Sequence, residues 1–180
     1  DRSDDFFEVA PKLGLAVDLA AGLMAYANAS VGFRPPEITE LYRLQRAQSV
    51  ADLDSERIES LELGVKGAWA PLDLELAAFD MRKENVILRE SNGFNVDGGR
   101  TSHRGLELEL DWQALPTLLV SAAGTVARHR YEFDRAIEGG ERIESGNDVD
   151  TAPRQLLSLR AGWTPSPAWP CRVSSGTSAP

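Results

Sequence analysis

The sequence predicts an all-β fold, an antiparallel meander of about seven long strands. Turn signals recur along the chain and leave segments of roughly 10 to 17 residues, long for soluble strands, where about 5 to 6 is usual. The connections alternate between tight turns and long polar loops, and side chains within the segments alternate between apolar and charged. The turn signals lie at 18–22, 34–36, 70–73, 91–99, 115–117, 139–140 and 164–167.

Period-2 alternation defines the strands themselves. The clearest, 104–112, places leucines and Trp112 on one face and three carboxylates on the other. Those carboxylates require water, because burying unpaired charge is costly. Strand 57–69 repeats the pattern and ends in Trp69 beside a short turn, which is typical of an interfacial aromatic girdle. With the weaker patterns included, the predicted strands are 6–17, 23–33, 57–69, 72–88, 104–112, 118–131 and 155–163.

One predicted strand breaks its own alternation. Strand 72–88 loses phase at 77–79, so that Phe79 and Met81 fall on the face of its acidic residues. A β-bulge in this segment would restore the pattern, because one extra residue shifts every later side chain to the opposite face.

The first long loop also permits a helical interpretation. Residues 37–63 contain neither glycine nor proline, and apolar residues at helical spacing follow Pro36. A short helical turn at 37–43 and an irregular loop are both compatible with this pattern. A continuous helix is not favoured, because the apolar series from Leu61 has period 2.

Composition excludes several classes of protein. The 180 residues carry 28 acidic and 19 basic side chains, a net charge of −9, whose field would repel nucleic-acid phosphates. The single cysteine, Cys171, excludes an internal disulfide framework and a cysteine-based zinc cluster. No segment has the ~18 apolar residues of a spanning helix, and the opening DRSDD predicts no signal peptide. A soluble globular domain and a membrane protein built from strands remain.

Motifs that carry chemistry are few. The sequence has no G-x-S-x-G elbow, P-loop or H-E-x-x-H helix, so we expect no enzymatic step. His103 and His129 have no spaced ligand partner and are expected in a loop or on a wet face. The acidic run 147–150 (NDVD) has the residue types of a calcium loop, although a lone acidic cluster is more often solvated. The acidic side chains of 107–111 are interpreted as a solvated face rather than a catalytic pair.

Three segments resemble the barrel of TonB-dependent outer-membrane receptors. Residues 26–37 (YANASVGFRPPE) and 40–43 (ELYR) are similar to a Y-x-N-x-S-x-G-F-R-x-P strand that enters an extracellular loop. Residues 53–67 (LDSERIESLELGVKG) resemble that family's next strand, often L-x-P-E-x-x-x-x-x-E-x-G-x-K. Residues 92–95 (NGFN) and 104–110 (RGLELEL) resemble its N-x-G-x-x-x-x-x-G-x-E-x-E hairpin. The segments occur in family order, and the resemblance covers most of the chain.

The resemblance implies an incomplete segment of a transmembrane barrel of about 22 strands, in the outer membrane of a Gram-negative bacterium. Such receptors take up a scarce ligand, most often a ferric siderophore, and depend on TonB for energy. The implied partners are a ferric siderophore or a similar small ligand, outer-membrane lipid, and TonB contacted through a plug domain that this chain lacks. The resemblance implies no cofactor and no metal site.

The chain divides by composition into a partial barrel, 1–168, and a tail, 169–180. After Trp169 the residues PCRVSSGTSAP show no alternation, and the tail is interpreted as the product of a truncation or a frameshift. The chain also lacks the aromatic C-terminal residue that the outer-membrane assembly machinery recognises. We expect that it neither inserts nor transports alone, because an open sheet leaves two unpaired edges in hydrocarbon.

The resemblance also selects candidate ligand-binding residues, since it makes the long loops extracellular. Aromatic and cationic side chains there suit an anionic ferric chelate. Arg34 is expected instead to anchor the start of its loop. Arg128 and Arg130 share a strand face near the loop end, where they would either reach lipopolysaccharide phosphates or line the lumen. The ligand-facing loop candidates are Tyr42, Arg43, Arg46 and Phe94.

Two alternatives from other classes remain open at this point. One is a passive porin-like or adhesin-type barrel, in which the loops serve diffusion or attachment. The other is a soluble β-sandwich that binds or hydrolyses carbohydrate, in which the apolar faces of 61–69 and 106–112 would pack against each other as a core.

Overall fold

A computed structural model describes residues 6–42, 53–89, 95–136, 142–150, 152–165 and 171–179, with residues 89, 95–96 and 171–179 described by their backbone alone. Within these residues the chain is almost entirely β. Eight strands form one antiparallel sheet in the order β1-β2-β3-β4-β5-β6-β9-β10, and two short strands form a separate hairpin. The elements are β1 Lys12–Ala20, β2 Leu23–Arg34, α1 Ile38–Tyr42, β3 Glu56–Trp69, β4 Leu72–Arg89, β5 Asn95–Leu115, β6 Leu118–Tyr131, β7 Arg135–Ala136, β8 Arg142–Ile143, β9 Gln155–Trp163 and β10 Cys171–Ala179.

The meander of about seven long strands predicted from the sequence is confirmed. Each of the seven predicted segments corresponds to a long strand, and each strand pairs with the next long strand along the chain. The predicted bounds differ most for β5, which has 21 residues and begins well before the predicted start at 104. Tight turns at 21–22, 70–71 and 116–117 all lie at one end of the sheet, here called the short-turn end, and the opposite end is called the long-loop end.

An eighth long strand lies where the sequence predicted none. β10 pairs with β9 along its whole length, from Cys171 opposite Trp163 to Ala179 opposite Gln155. Backbone hydrogen bonds to the edge of β9 support a strand even where the side chains do not alternate. The origin of the tail by truncation or frameshift stays a prediction.

The β-bulge considered for 77–79 is absent, and β4 keeps its register there with both neighbours. The register of β4 with β5 shifts instead between Lys83 and Val86 and again between Val86 and Leu88. Phe79 lies opposite Gly105, and a Cβ added to that glycine would come within 2.7 Å of the Phe79 ring. Phe79 therefore faces the polar side because its ring fills the space that the missing glycine side chain leaves.

The first long loop begins with a short helix, α1, so the helical turn compatible with 37–43 is present. Glu40 accepts a hydrogen bond at 2.7 Å from the backbone nitrogen of Glu37, which caps the first turn. Leu41 is buried with Leu53 and contacts Ile87. No helix in the described ranges is long and apolar enough to cross a membrane.

The large apolar side chains are exposed rather than gathered in a core. Leu63, Trp69 and Leu106 are 52%, 42% and 55% exposed, and the described residues include no large side chain that is fully buried. β3 and β5 both pair with β4 in one sheet, so their apolar rows lie side by side on the same face. The sandwich alternative, which required these rows to pack against each other, is therefore wrong.

Candidate functional site

One surface of the sheet, here called the apolar face, carries a continuous band of apolar side chains. Antiparallel pairing without register shifts aligns leucine with leucine across β3 to β6, because facing residues share a side of the sheet. Trp69 and Trp112 both lie at the short-turn end of this band, as expected for an aromatic girdle. The four rows, from the short-turn end, are Trp69–Leu72–Trp112–Val120, Gly67–Leu74–Leu110–Ala122, Val65–Leu76–Leu108–Gly124 and Leu63–Ala78–Leu106–Val126.

The same face becomes charged immediately beyond the band, towards the long-loop end. The next two rows are Leu61–Asp80–Arg104–Arg128 and Glu59–Arg82–Ser102–Arg130. The sequence left open whether Arg128 and Arg130 face the polar or the apolar side of the sheet. The strand pairing places them on the apolar side, where Arg128 lies opposite Arg104. The arginine row is defined here as Arg82, Arg104, Arg128 and Arg130.

The opposite surface, the polar face, is rich in carboxylates near the short-turn end. Asp73 lies opposite Asp111, and Glu75 lies opposite Glu109, so like charges face each other across β4 and β5. Such pairs are destabilising unless water or a cation separates them. Lys66 binds Glu75 at 2.9 Å and offsets one of these charges. Glu107, Glu109 and Asp111 are all exposed, and their interpretation as a solvated face stays a prediction.

A tyrosine on the polar face links three strands. The Tyr26 hydroxyl donates a hydrogen bond to Glu75 at 2.9 Å, and the Lys66 ammonium lies 5.3 Å from the centre of the Tyr26 ring. The ring lies over Gly64, where an added Cβ would come within 2.4 Å of it. Both Tyr26 and Phe79 thus cover a glycine on the neighbouring strand, and the pairs Tyr26/Gly64 and Phe79/Gly105 are called ring–glycine pairs below.

At the long-loop end, Arg34 joins the ends of β2 and β3 to helix α1. Its guanidinium donates to Glu56 at 2.8 Å and to both oxygens of Glu40 at 3.0 and 3.2 Å. Glu56 also accepts a hydrogen bond from the Ile87 backbone nitrogen at 2.9 Å. The expectation that Arg34 anchors the start of its loop agrees with this geometry, and the three residues Arg34, Glu40 and Glu56 are called the loop clamp.

Two members of the loop clamp, Arg34 and Glu56, have pKa values shifted in the direction that their hydrogen bonds require. Hydrogen bonds from Arg34 hold the pKa of the Glu56 carboxyl below its usual range, although partial burial acts in the opposite direction. Hydrogen bonds to Glu56 and then to Glu40 raise the pKa of Arg34. Both groups lie beyond the apolar band, so Arg34 and Glu56 remain charged at neutral pH at the base of the loop.

The two histidines pair with each other across β5 and β6. The Nδ1 atoms of His103 and His129 are 2.8 Å apart, and the Thr101 hydroxyl lies 2.9 Å from His103 Nε2. Only one of the two Nδ1 atoms carries the shared hydrogen, so one ring donates and the other accepts. The described residues contain no group of three His, Cys, Asp or Glu side chains arranged to hold a metal ion.

In the acidic run 147–150, Asp148 has partners on both sides along the chain. Asp148 accepts a hydrogen bond from Arg154 and forms a β-bridge with Arg130. The Asp148 carboxylate therefore already has a cationic partner, Arg154.

Of the four ligand-facing loop candidates, the structure describes one. Tyr42 is the last residue of α1, at the long-loop end, and its side chain is 36% exposed. The remaining candidates, Arg43, Arg46 and Phe94, lie outside the described residues. The loop clamp, which holds α1, was visible in the sequence only as a set of unconnected charges.

The geometry of the sheet defines the class of protein to which the chain belongs. An open antiparallel meander with an apolar band, a tryptophan girdle and tight turns at one end is the wall of a membrane-type β-barrel. A sequence model of the TonB-dependent receptor-like β-barrel matches residues 1–179, and the chain belongs to this family. It is a family of transport receptors.

Solved structures share the fold at low identity. The ferric yersiniabactin uptake receptor FyuA from Yersinia pestis has a TM-score of 0.73 at 18% identity, over 93% of this chain and 25% of that one. The siderophore receptor PiuA from Acinetobacter baumannii has a TM-score of 0.71 at 18% identity, and the match covers 93% of this chain and 25% of PiuA. The ferric-catecholate import receptor Fiu from E. coli K12 has a TM-score of 0.68 at 16% identity, and the match covers 94% of this chain and 25% of Fiu. The chain thus spans about a quarter of these structures.

Proposed function

We propose that this chain forms part of the wall of an outer-membrane receptor that takes up a scarce ligand with energy supplied through TonB. The observation that carries the proposal is that a sheet of this family has one apolar face, suited to lipid, and one acidic face, suited to an aqueous interior. Uptake is proposed to be active, and a passive pore or an adhesin is disfavoured by the family. No reaction on the ligand is needed.

The proposed ligand is a ferric siderophore or a similar small iron chelate. The support is indirect: three proteins that share the fold are named as receptors for ferric or siderophore ligands. The proposed location is the outer membrane of a Gram-negative bacterium, with the long-loop end outside the cell. Contact with TonB is proposed to pass through a plug domain outside these 180 residues.

The ligand would be recognised by the loops at the long-loop end. Tyr42, on a helix fixed by the loop clamp, offers an aromatic ring, and the neighbouring Arg43 and Arg46 offer cations for an anionic chelate. Phe94 offers a second ring on the following long loop. These side chains are proposed to bind the ligand before it enters the interior.

Uptake of radiolabelled iron tests the function directly. Cells that carry the complete receptor, grown without iron, are given a panel of ferric siderophores, with and without TonB. We expect uptake of one chelate class that disappears when TonB is removed. Uptake that is unchanged without TonB, or an absence of uptake and binding across the panel, would contradict the proposal.

A double variant tests the loop residues. The double variant Arg43→Gln with Arg46→Gln is expected to weaken binding of the transported chelate by about tenfold or more. Tenfold is the expected effect of losing a single hydrogen bond to a charged group. Arg142→Gln is the matched control, because Arg142 is an exposed arginine on another loop strand. Equal losses in both variants would remove the assignment of Arg43 and Arg46.

A further inference from the structure

The two histidines lie in one row with a methionine on the polar face. Antiparallel pairing places Met81 of β4 opposite His103 of β5, and His103 opposite His129 of β6. Side chains that face each other on neighbouring strands have Cβ atoms about 4.5 to 5.5 Å apart. All three side chains are half-buried, and they lie on the opposite side of the sheet from Arg104. The register therefore brings two imidazoles and a thioether together.

The two imidazoles already have the separation that a shared metal ion requires. Their Nδ1 atoms are 2.8 Å apart, and the rings are tilted by 53° with their centres 5.0 Å apart. Two nitrogens that bind one ion with bonds of about 2.0 to 2.1 Å are about 2.8 to 3.0 Å apart at a right angle, but about 3.3 to 3.4 Å apart at a tetrahedral angle. The observed distance matches neighbouring positions of a square-planar or tetragonal ion.

Thr101 holds one ring in the orientation that metal binding needs. Its hydroxyl lies 2.9 Å from His103 Nε2, and Thr101 is itself buried. A histidine that binds a metal through one ring nitrogen commonly donates the hydrogen on its other nitrogen to a fixed acceptor. When Thr101 accepts from Nε2, the Nδ1 atom of His103 directs a lone pair towards His129. The hydrogen shared between the rings then moves to Nε2 of His129, which is the other neutral tautomer.

Charges of both signs lie in the rows beside the histidines. Lys83 and Tyr131 belong to the next row of the polar face towards the long-loop end. Lys83 opposes the binding of a cation, and Asp150, which interacts electrostatically with Tyr131, favours it. Glu62 lies in the next row towards the short-turn end. With one cation and two carboxylates nearby, selectivity for a metal depends on the ligand atoms rather than on net charge.

We propose that His103 and His129 bind a Cu²⁺ ion through their Nδ1 atoms, with Met81 as a weak axial ligand and water in the remaining positions. Square-planar or tetragonal nitrogen sites are typical of Cu²⁺ and Ni²⁺, and Cu²⁺ binds more tightly. A thioether at a long axial distance also occurs in copper sites. Met81 has three rotatable bonds and can adapt to such a position. The ion would join β5 to β6, whichever ligand the receptor takes up.

Titration of the complete receptor, purified in detergent and stripped of metal, tests the proposal. The probe is CuCl₂, and pulsed electron paramagnetic resonance identifies the imidazole nitrogens that are bound to Cu²⁺. We expect one equivalent of Cu²⁺ with two imidazole nitrogens, and we expect His129→Asn to lose it. Thr101→Val should weaken this binding by about 10- to 100-fold and keep both nitrogens, because Thr101 orients a ligand without contacting the ion.

Matched variants separate this site from nonspecific binding. Glu109→Gln with Asp111→Asn removes two exposed carboxylates from the polar face near the short-turn end, and should change the Cu²⁺ affinity less than twofold. Met81→Leu should keep both nitrogens and shift the visible absorption of Cu²⁺, because an axial ligand is lost. Unchanged absorption would remove Met81 from the ligand set. Heat-dependent electrophoretic mobility checks that each variant is folded.

Two other results would overturn the proposal. A Cu²⁺ signal that is identical in the wild-type receptor and in His129→Asn, or an equal loss in the carboxylate variant, would exclude the histidine pair as the site. Displacement of Cu²⁺ from the wild-type receptor by an about tenfold excess of Zn²⁺ would exclude a tetragonal copper site, and this comparison requires no variant to fold. The titration uses neither iron nor siderophore, so a failure of the proposed uptake function would leave the copper result readable.

Discussion

Replacing Leu108 with arginine puts a charge in the middle of the apolar band. Leu108 lies four residues from Trp112 and four from Arg104, about 13 Å along the strand from each border. Its neighbours in the row are Leu76 and Gly124, and neither can pair with a charge. For an arginine at this depth on a lipid-facing strand the cost is about 2 to 4 kcal/mol, or roughly 30- to 1,000-fold in the folding equilibrium.

The matched control moves the same charge to the opposite face. Ala123 is exposed on the polar face and lies opposite Glu109, so Ala123→Arg places a cation beside the facing carboxylates. We expect this variant to be neutral or to gain up to about 1 kcal/mol, the size of a favourable cross-strand charge pair. Both substitutions add one arginine near the middle of a strand, on opposite sides of the sheet.

The assay is folding of the complete receptor into phospholipid vesicles across a urea series, followed by tryptophan fluorescence. Trp69, Trp112 and Trp163 lie at the short-turn end and report the transfer from water to lipid. Leu108→Arg should lower the urea midpoint, whereas Ala123→Arg should not. Equal midpoints, or a larger loss for Ala123→Arg, would refute the assignment of the apolar face to lipid.

Two further predictions concern the loop clamp and a ring–glycine pair. Arg34 lowers the pKa of Glu56 in the folded protein. The loop clamp therefore contributes its full stability to α1 at pH values above the ordinary glutamate pKa of about 4.3. This contribution is lost as the pH falls through the lower pKa that Glu56 has in the folded protein. Protease cleavage between β2 and β3 should therefore rise in acid, and Glu56→Gln should cleave readily at every pH. Gly64→Ala should displace the Tyr26 ring and lower stability by about 1 to 3 kcal/mol, measured by thermal unfolding.

Each of these predictions has its own control. Cleavage that does not change between neutral and acidic pH would remove the loop clamp as the support of α1. For the glycine, Gly124→Ala is the comparison, because its added Cβ would meet nothing closer than 3.6 Å. A loss of stability at Gly124 as large as at Gly64 would show that the backbone, rather than the Tyr26 ring, sets the cost.

The sequence was sufficient to predict which face each side chain occupies in most strands. Alternation depends on the pleat alone, so the leucines and carboxylates of β5 could be assigned before any pairing was known. It failed at Phe79, since alternation cannot show that a ring on the polar side covers Gly105 on the next strand. Alternation also failed to predict β10, because this strand is formed by backbone pairing with the edge of β9.

Contacts between strands required the register. His103 and His129 are 26 residues apart, and nothing in their spacing indicates that their rings share a hydrogen bond. Likewise Arg104 and Arg128 become neighbours only when β5 and β6 are paired. A shift of one residue in that pairing would move Arg128 to the other surface, so the face that Arg128 occupies depends on a register that a single strand does not encode.

The ring–glycine pairs have a consequence for how the sheet is assembled. If β2 slid past β3 by two residues, the leucines would still face the same way, and alternation alone would tolerate the error. The Tyr26 ring, however, would then lie over Glu62 or Lys66 instead of Gly64 and collide with a side chain. Phe79 and Gly105 impose the same condition on the pairing of β4 with β5. The two glycines thus favour the native register over registers shifted by two residues while the strands pair.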